Sequence, residues 1–249
     1  MKYQLSLIYG QWVLFASAAA KVPFHEYILA PTSRTISPVS VYQTGGNVEN
    51  AAALLTIDPQ DSQSSTSFVG SGSYVTLDFG KNIAGRVSFY VDDVAGSGED
   101  IGFTFTESSM YISAEHCDAV TDGAFDLPQW FNNTEPGHYE ADHDHQRGAF
   151  RYLTVVHNST GTVSLSNITI YWTPSPELAN PAAYTGYFHS DSERLNRVWY
   201  AGAYTNQICS ADPTTGVALG APVAGWYYNY TIASRSFLIC GKPFWQRLI

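Results

Sequence analysis

Three stretches in the middle of the chain alternate apolar and polar residues with a period of two. In SYVTLDFG, Val75, Leu77 and Phe79 fall on one face, and Tyr74, Thr76 and Asp78 on the other. GRVSFYVDDV does the same with Val87, Phe89 and Val91, and DIGFTFTE with Ile101, Phe103 and Phe105. Successive side chains of a strand point to opposite faces, so this period is that of a half-buried strand. Gly-containing turns (GKNIAG, AGSGED) separate the runs, and the pattern predicts a meander of antiparallel strands. Shorter apolar runs (SPVSVYQ, AAALLTI) precede it between Pro, Gly, Asn and Ser punctuation. After an excursion from Ser108 to Gly137, strands are predicted again at GAFRYLTVVHN and GTVSLSNITIYW. In the second of these the apolar phase changes between Leu165 and Ile168, which predicts a bulge. Many short strands at this spacing predict an antiparallel sandwich or jelly roll. TPSPELANPAA, with three prolines, reads as a linker that closes the β domain near Pro176.

The segment GYFHSDSERLNRVWYAGAYT breaks the β pattern and predicts a helix. Ser190 is placed as N-cap with Glu193 three residues later, the spacing of a capping box. Leu195, Val198, Trp199 and Ala203 then form one apolar stripe. One amphipathic helix cannot bury its own stripe, so it is expected to pack on the sandwich or on further helices. Residues 177–249 are expected to pack less firmly than the sandwich.

Composition narrows the class. Apolar residues make up 45% of the 249 and charged residues only 14%, with 17 Tyr, 13 Phe and 6 Trp. That suffices for a real core and suits a secreted β protein. The first 20 residues combine Lys2, an apolar stretch from Leu5 to Phe15 and small residues from Ala16 to Ala20, the layout of a secretory leader. The formal charge is −10. Removal of the leader would take Lys2 alone, leaving eleven basic against 22 acidic residues, or −11. Such a chain lacks the Lys and Arg clusters that phosphate backbones need, which argues against a nucleic-acid partner. No membrane association is expected after leader cleavage. Sequons at Asn132, Asn158, Asn167 and Asn229 fit a glycosylated, extracellular protein. Three cysteines, Cys117, Cys209 and Cys240, permit at most one bridge.

Candidate chemistry is sparse. HYEADHDHQRG holds Glu140, Asp142, His143, Asp144 and His145. On a strand the two His would face one side and the two Asp the other, a solvated edge rather than a metal site. His116 and Cys117 are adjacent in the chain and would not naturally point at one ion. No metal and no cofactor is expected. A Gly-x-Ser-x-Gly elbow is absent, and the Gly-rich turns do not open a helix, so acyl transfer and phosphate binding are not indicated. Glu107, Glu115, Asp118 and Asp122 lie in or beside one loop; paired carboxylates can cleave glycosides, but loop carboxylates are usually only soluble. Trp130, Phe131, Trp226, Tyr227 and Tyr228 suit either core packing or stacking on sugar rings.

Three of these stretches, in their order, resemble the fungal α-L-rhamnosidases of glycoside hydrolase family seventy-eight. LDFGKNIAGRVSF with GFTFTESS is similar to that family's Asp-Phe-Gly-x-Asn strand, Gly turn and following strand with its terminal Glu. GAFRYLTV is similar to its Gly-Phe-Arg-Tyr strand, and GYFHSDSERLNRVWYAGAYT to its passage from sandwich to catalytic domain. The resemblance covers roughly residues 35 to 232. It implies a secreted modular enzyme whose sandwich precedes an α/α-barrel of six hairpins, hydrolysing terminal α-L-rhamnosides with inversion. The family's acidic catalytic motif would follow NYTIA. SRSFLICGKPFWQRLI stands there, no Asp or Glu occurs after Asp212, and no catalytic residue is carried over. The expected organisation is a leader over 1–20, a β-sandwich over 21–176, and over 177–249 the linker and first helix of an incomplete barrel. The expected function is the amino-terminal portion of a rhamnosidase-like hydrolase, inactive as this chain, with rhamnose-containing glycosides as the partner class. The alternative is a free-standing secreted carbohydrate-binding module.

Overall fold

A computed structural model describes residues 24–55, 65–96, 98–118, 120–121 and 124–210. The leader, Asp122, Trp226, Tyr227, Tyr228, Asn229 and Cys240 lie outside these residues. Among the described residues, the protein is mainly β with one α-helix. No helix among the described residues is long and apolar enough to cross a membrane.

Strands β1 (Thr35–Ile36), β2 (Ser40–Glu49), β3 (Thr66–Ala95) and β4 (Ile101–Thr106) come first. Two-residue strands β5 (Val120–Thr121) and β6 (Ala124–Phe125) pair only with each other. Then follow β7 (Gln129–Phe131), β8 (Gly137–Glu140), β9 (Arg147–His157) and β10 (Thr162–Trp172), and finally the helix α1 (Glu193–Ile208). The main sheet runs β1-β10-β3-β9-β4-β7, with β2 and β8 also on β3.

β3 explains how one sheet makes a sandwich. Its 30 residues act as three limbs, of which residues 66–69 lie between β2 and β10. Residues 73–78 lie between β2 and β9. Residues 85–95 lie between β10 and β8, and Thr162 of β10 stands opposite both Val69 and Ala95. The ribbon therefore passes from one layer to the other and closes around a shared core. The first corner uses Gly70 and Gly72, with φ of 73° and 82°, a conformation that side chains with a Cβ resist.

This corrects the predicted meander. The 73–80 and 85–94 runs are hydrogen-bonded to distant strands, and β4 pairs with β9 and β7. Period-two alternation identifies a strand and its inward face, but its partner is set by the core that both faces must share. The inward faces themselves are as predicted: Val75, Leu77, Val87, Phe89, Val91, Ile101 and Phe103 are all buried. β4 is buried on both faces, because the following loop covers its outer side, where Thr104 donates to the Ser113 carbonyl at 2.6 Å. The bulge in β10 is present: the register shifts between Ser166 and Thr169, and Asn167 has φ 50°.

The helix exists, but it starts and faces differently than predicted. Its N-cap is Ser192, whose hydroxyl accepts from Leu195 N at 3.4 Å. Ser190 instead binds the Asn196 side chain. Glu193 accepts from Tyr27 at 2.5 Å and from Arg197 at 2.7 Å rather than closing a capping box. The face turned to the sandwich is Asn196, Tyr200, Tyr204, Gln207 and Ile208, while Leu195 and Val198 are 49% and 62% exposed. Tyr204 stacks on Trp172 and donates to the Asn82 carbonyl at 2.5 Å. Tyrosine joins a large apolar ring to a hydroxyl that finds a partner, so this mixed face docks in place of the predicted stripe of Leu195, Val198, Trp199 and Ala203.

The Pro-rich connector is tied to its surroundings by hydrogen bonds. The Arg34 guanidinium donates to the carbonyls of Trp172, Pro176 and Leu178. Gln207 donates to the Pro181 carbonyl at 3.0 Å, and Ser175 N to the Ser210 carbonyl at 2.7 Å.

Candidate functional site

The segments that carry the family resemblance meet in one hydrogen-bonded network. Asp78, in LDFGKN, caps its own turn through Gly80 N at 2.6 Å. It also takes two 2.8 Å bonds from Arg151, in GAFRYLTV. The Arg151 guanidinium depresses the Asp78 carboxyl below its ordinary range; burial opposes the shift and the Gly80 N–H assists it. Asn82 donates to Glu107, at the end of GFTFTE, at 3.3 Å, and its carbonyl receives Tyr204 of the helix. LDFGKN is thus bonded to GAFRYLTV through Asp78, and to GFTFTE and α1 through Asn82. These bonds explain the residues as architecture.

Glu107 and Asp118 do come together, as Glu107 N donates to Asp118 at 2.7 Å. Burial, and then the Asp118 charge, push the Glu107 carboxyl up, against the Asn82 hydrogen bond. Glu107 remains exposed. Glu115 N is occupied by the Ser113 hydroxyl. Cys117 is buried, receiving Phe105 N at 3.4 Å, and burial pushes its thiol up to about 11. A thiol held so far from ionisation is no nucleophile at neutral pH.

The His/Asp run is not one continuous strand: His138–Glu140 belong to β8 and Arg147 opens β9. Its middle, His143–His145, is a 3-10 turn, and Asp142 Oδ1 accepts both His145 N at 3.0 Å and a contact from His145 Nδ1 at 2.5 Å. The turn arises because Asp142 can cap it locally, and it puts Asp142 and His145 on one side rather than opposite sides. No three His, Cys, Asp or Glu side chains among the described residues are placed to hold a metal ion. Of the described sequons, Asn132 and Asn158 are exposed and Asn167 is half-buried in the bulge.

The run's real place is one wall of a cleft of about 400 Å³. Glu140, Asp142, His145 and Arg147 line this wall, and 126–131 the other. Within β7 the alternation splits the two aromatics. Phe131 turns inward against Phe89 and Phe103. Trp130 turns outward, 36% exposed, lying over Gly102 of β4. A Cβ at Gly102 would sit 2.6 Å from the indole ring, so glycine is what lets the ring lie on the strand.

Arg147 holds the walls together through a 2.6 Å ion pair with Asp126, and its guanidinium lies 5.3 Å from the Phe105 ring centre. Glu140 is paired with Arg86 at 2.9 Å. The cleft therefore offers an aromatic surface beside planar, fixed hydrogen-bonding groups whose charges are largely paired. Asp126, Gln129 and Arg147 were missed from sequence. Asp126 and Arg147 stand 21 positions apart in a segment without periodicity, and only the fold brings them together.

No family model matches this sequence, and no curated protein matches it. Among solved structures, the chain is similar to the rhamnosidase from Klebsiella oxytoca with rhamnose bound, at 17% identity and a TM-score of 0.49, over 75% of this chain and 37% of that one. It is similar to the GH78-family rhamnosidase of Bacillus sp. GL1, at 20% identity and a TM-score of 0.46, over 68% of this chain and 16% of that one. The CBM32 of AlyQ in complex with 4,5-unsaturated mannuronic acid aligns over 55% of this chain and 97% of its own, at 17% identity and a TM-score of 0.33. The chain thus spans well under half the length of both rhamnosidases. At these scores the likenesses decide nothing about function.

Proposed function

We propose that this chain is a portion of a secreted carbohydrate-active protein of the α-L-rhamnosidase kind, and that its sandwich binds sugar without cleaving it. The observation that carries the reading is the cleft. A pyranose presents an apolar C–H face and an edge of hydroxyls, and it is recognised by an exposed ring beside rigid planar donors and acceptors. Trp130 supplies the ring, and Asp126, Glu140 and Arg147 the planar groups. The volume lies toward the lower end of the roughly 300–1,000 Å³ of small-molecule sites. The motif network at the junction with α1 supports the rhamnosidase relation, because residues quoted for the resemblance serve one shared purpose there.

Catalysis belongs outside the described sandwich on this reading. Inverting hydrolysis needs one carboxylic acid and one carboxylate about 6.5–9.5 Å apart across the scissile bond. Asp126, Glu140 and Asp142 are each engaged by a cation or imidazole, namely Arg147, Arg86 and His145. A free-standing binding module shares the same cleft and is the second reading. Titration of the purified chain with L-rhamnose and methyl α-L-rhamnoside, followed by calorimetry, is expected to show weak binding that Trp130→Ala abolishes. p-Nitrophenyl α-L-rhamnoside is expected to release no p-nitrophenol. Turnover lost in Glu107→Gln or Asp118→Asn would place catalysis on the sandwich loops and overturn the division of labour.

A further inference from the structure

The cleft does not end at Glu140. That residue is also one end of a polar and aromatic row on the outward face of the neighbouring strands. In the 85–95 limb of β3, Arg86, Ser88, Tyr90 and Asp92 alternate with buried Val87, Phe89 and Val91. β8 lies alongside with Glu140 opposite Ser88 and His138 opposite Tyr90. β10 lies on the other side, with Ser166 opposite Tyr90 and Tyr171 opposite Arg86. The side chains interact across the strands, as same-face neighbours in a sheet do. The Ser88 hydroxyl is 2.8 Å from His138 Nε2, and the His138 ring centre is 4.8 Å from that of Tyr90. Ser166 donates to Asp92 at 3.0 Å, and the Arg86 guanidinium sits 5.4 Å from the Tyr171 ring centre. Tyr90, the largest side chain of the row, is 45% exposed.

We infer that this face and the cleft form one continuous track that binds an uncharged oligosaccharide chain, with the cleft taking one unit and the Arg86–Tyr90 face further units. The inference rests on the carbohydrate reading of the cleft. Length is the first argument. The four residue-to-residue rises of strand from Arg86 to Tyr90 span roughly 13 Å, longer than one sugar ring and continuous with the cleft through Glu140. Charge is the second argument. Arg86 is neutralised by Glu140 at 2.9 Å, which leaves phenol, imidazole and hydroxyl groups to meet the ligand, with the Asp92 carboxylate beyond Tyr90 at the far end of the row. Such a surface matches a chain rich in hydroxyls, and the overall charge of −10 repels polyuronates. Shape is the third argument. A flat strand face cannot enclose a single sugar, but it can lie along several.

A glycan array carrying neutral and uronate-containing ligands of one to six units, probed with the whole chain, tests this. Signal is expected to rise with length among neutral glycans, at least about tenfold in affinity from one unit to four. Tyr90→Ala, on an exposed position, is expected to bring the longer ligands down to the affinity of the monosaccharide. Trp130→Ala is expected to lower binding at every length. Equal affinity for one and four units, equal binding of uronate chains, or a Tyr90→Ala variant that keeps the length dependence would each overturn the track while leaving the cleft reading intact. Absence of binding to any glycan would overturn both.

Discussion

Tyr204→Ala and Val198→Ala should differ sharply, because they sit on opposite faces of α1. Tyr204 is 5% exposed, stacks on Trp172 and gives its hydroxyl to the Asn82 carbonyl. Truncating a buried aromatic costs about 3–5 kcal/mol, of which a hydrogen bond to a carbonyl accounts for about 1 kcal/mol. With a urea slope of about 2 kcal/mol/M, a loss near 4 kcal/mol lowers the midpoint by roughly 2 M. Tyr204→Phe should isolate the hydroxyl and cost about 1 kcal/mol. Val198, 62% exposed, should change stability by no more than about 0.5 kcal/mol on replacement by alanine. The assay is urea unfolding of the whole chain by tryptophan fluorescence, with hydrogen exchange of the α1 amides as a local readout. Alanine at Tyr204 should also strip protection from α1. A Val198→Ala or Leu195→Ala variant costing more than Tyr204→Ala would show that the aliphatic stripe, and not the tyrosine face, meets the core.

Arg151 makes the Asp78 carboxyl more acidic on folding than its free value of 3.8. A group depressed in this way stabilises fully above the free value, and the contribution is lost as pH falls through the lower folded value. Asp78→Asn should therefore flatten the loss of stability below about pH 4, and an unchanged acid limb in urea titrations would contradict the pairing. The buried pair of His157 and Glu99, 2.7 Å apart and also holding Gly161 N, ties the turns at one end of the sandwich. His157→Ala should cost about 1–3 kcal/mol by leaving the buried Glu99 carboxyl without its imidazole partner, with a coupling above 1 kcal/mol to Glu99→Gln in a double-mutant cycle; a cost below 1 kcal/mol would refute the tie. Cys117, its thiol pushed up by burial to about 11, should resist iodoacetamide at pH 8 until urea unfolds the chain. Rapid labelling of its peptide in the folded protein, seen by mass spectrometry, would contradict that burial.

Much of the local architecture was legible in the residues. Val75, Leu77, Phe89 and Phe103 were placed inward by their period alone, and the phase change near Leu165 located the bulge at Asn167. The helix was found from its composition, two residues away from its true cap. These features depend on near neighbours, whose geometry each residue type largely dictates. The candidate site was only half legible. Trp130, Glu140 and the His/Asp run stood out in the sequence, but their common cleft did not, because Asp126 and Arg147 are joined by folding and not by spacing.

Three matters were settled only by tertiary structure, each for the same reason. The chain could not show that β3 would bend twice and feed both layers, because pairing depends on which distant strands share the core. It could not choose between the two usable faces of α1, because the stripe of Leu195, Val198 and Trp199 and the tyrosine stripe both carry large apolar groups. The choice fell to what lay opposite: the ring of Trp172 and the carbonyl of Asn82, which only a tyrosine could satisfy together. Nor could it show that LDFGKN would bond to GAFRYLTV through Asp78, to GFTFTE through the Asn82 side chain, and to the helix through the Asn82 carbonyl. Local propensity determined the elements; complementarity between surfaces far apart in the chain determined their partners.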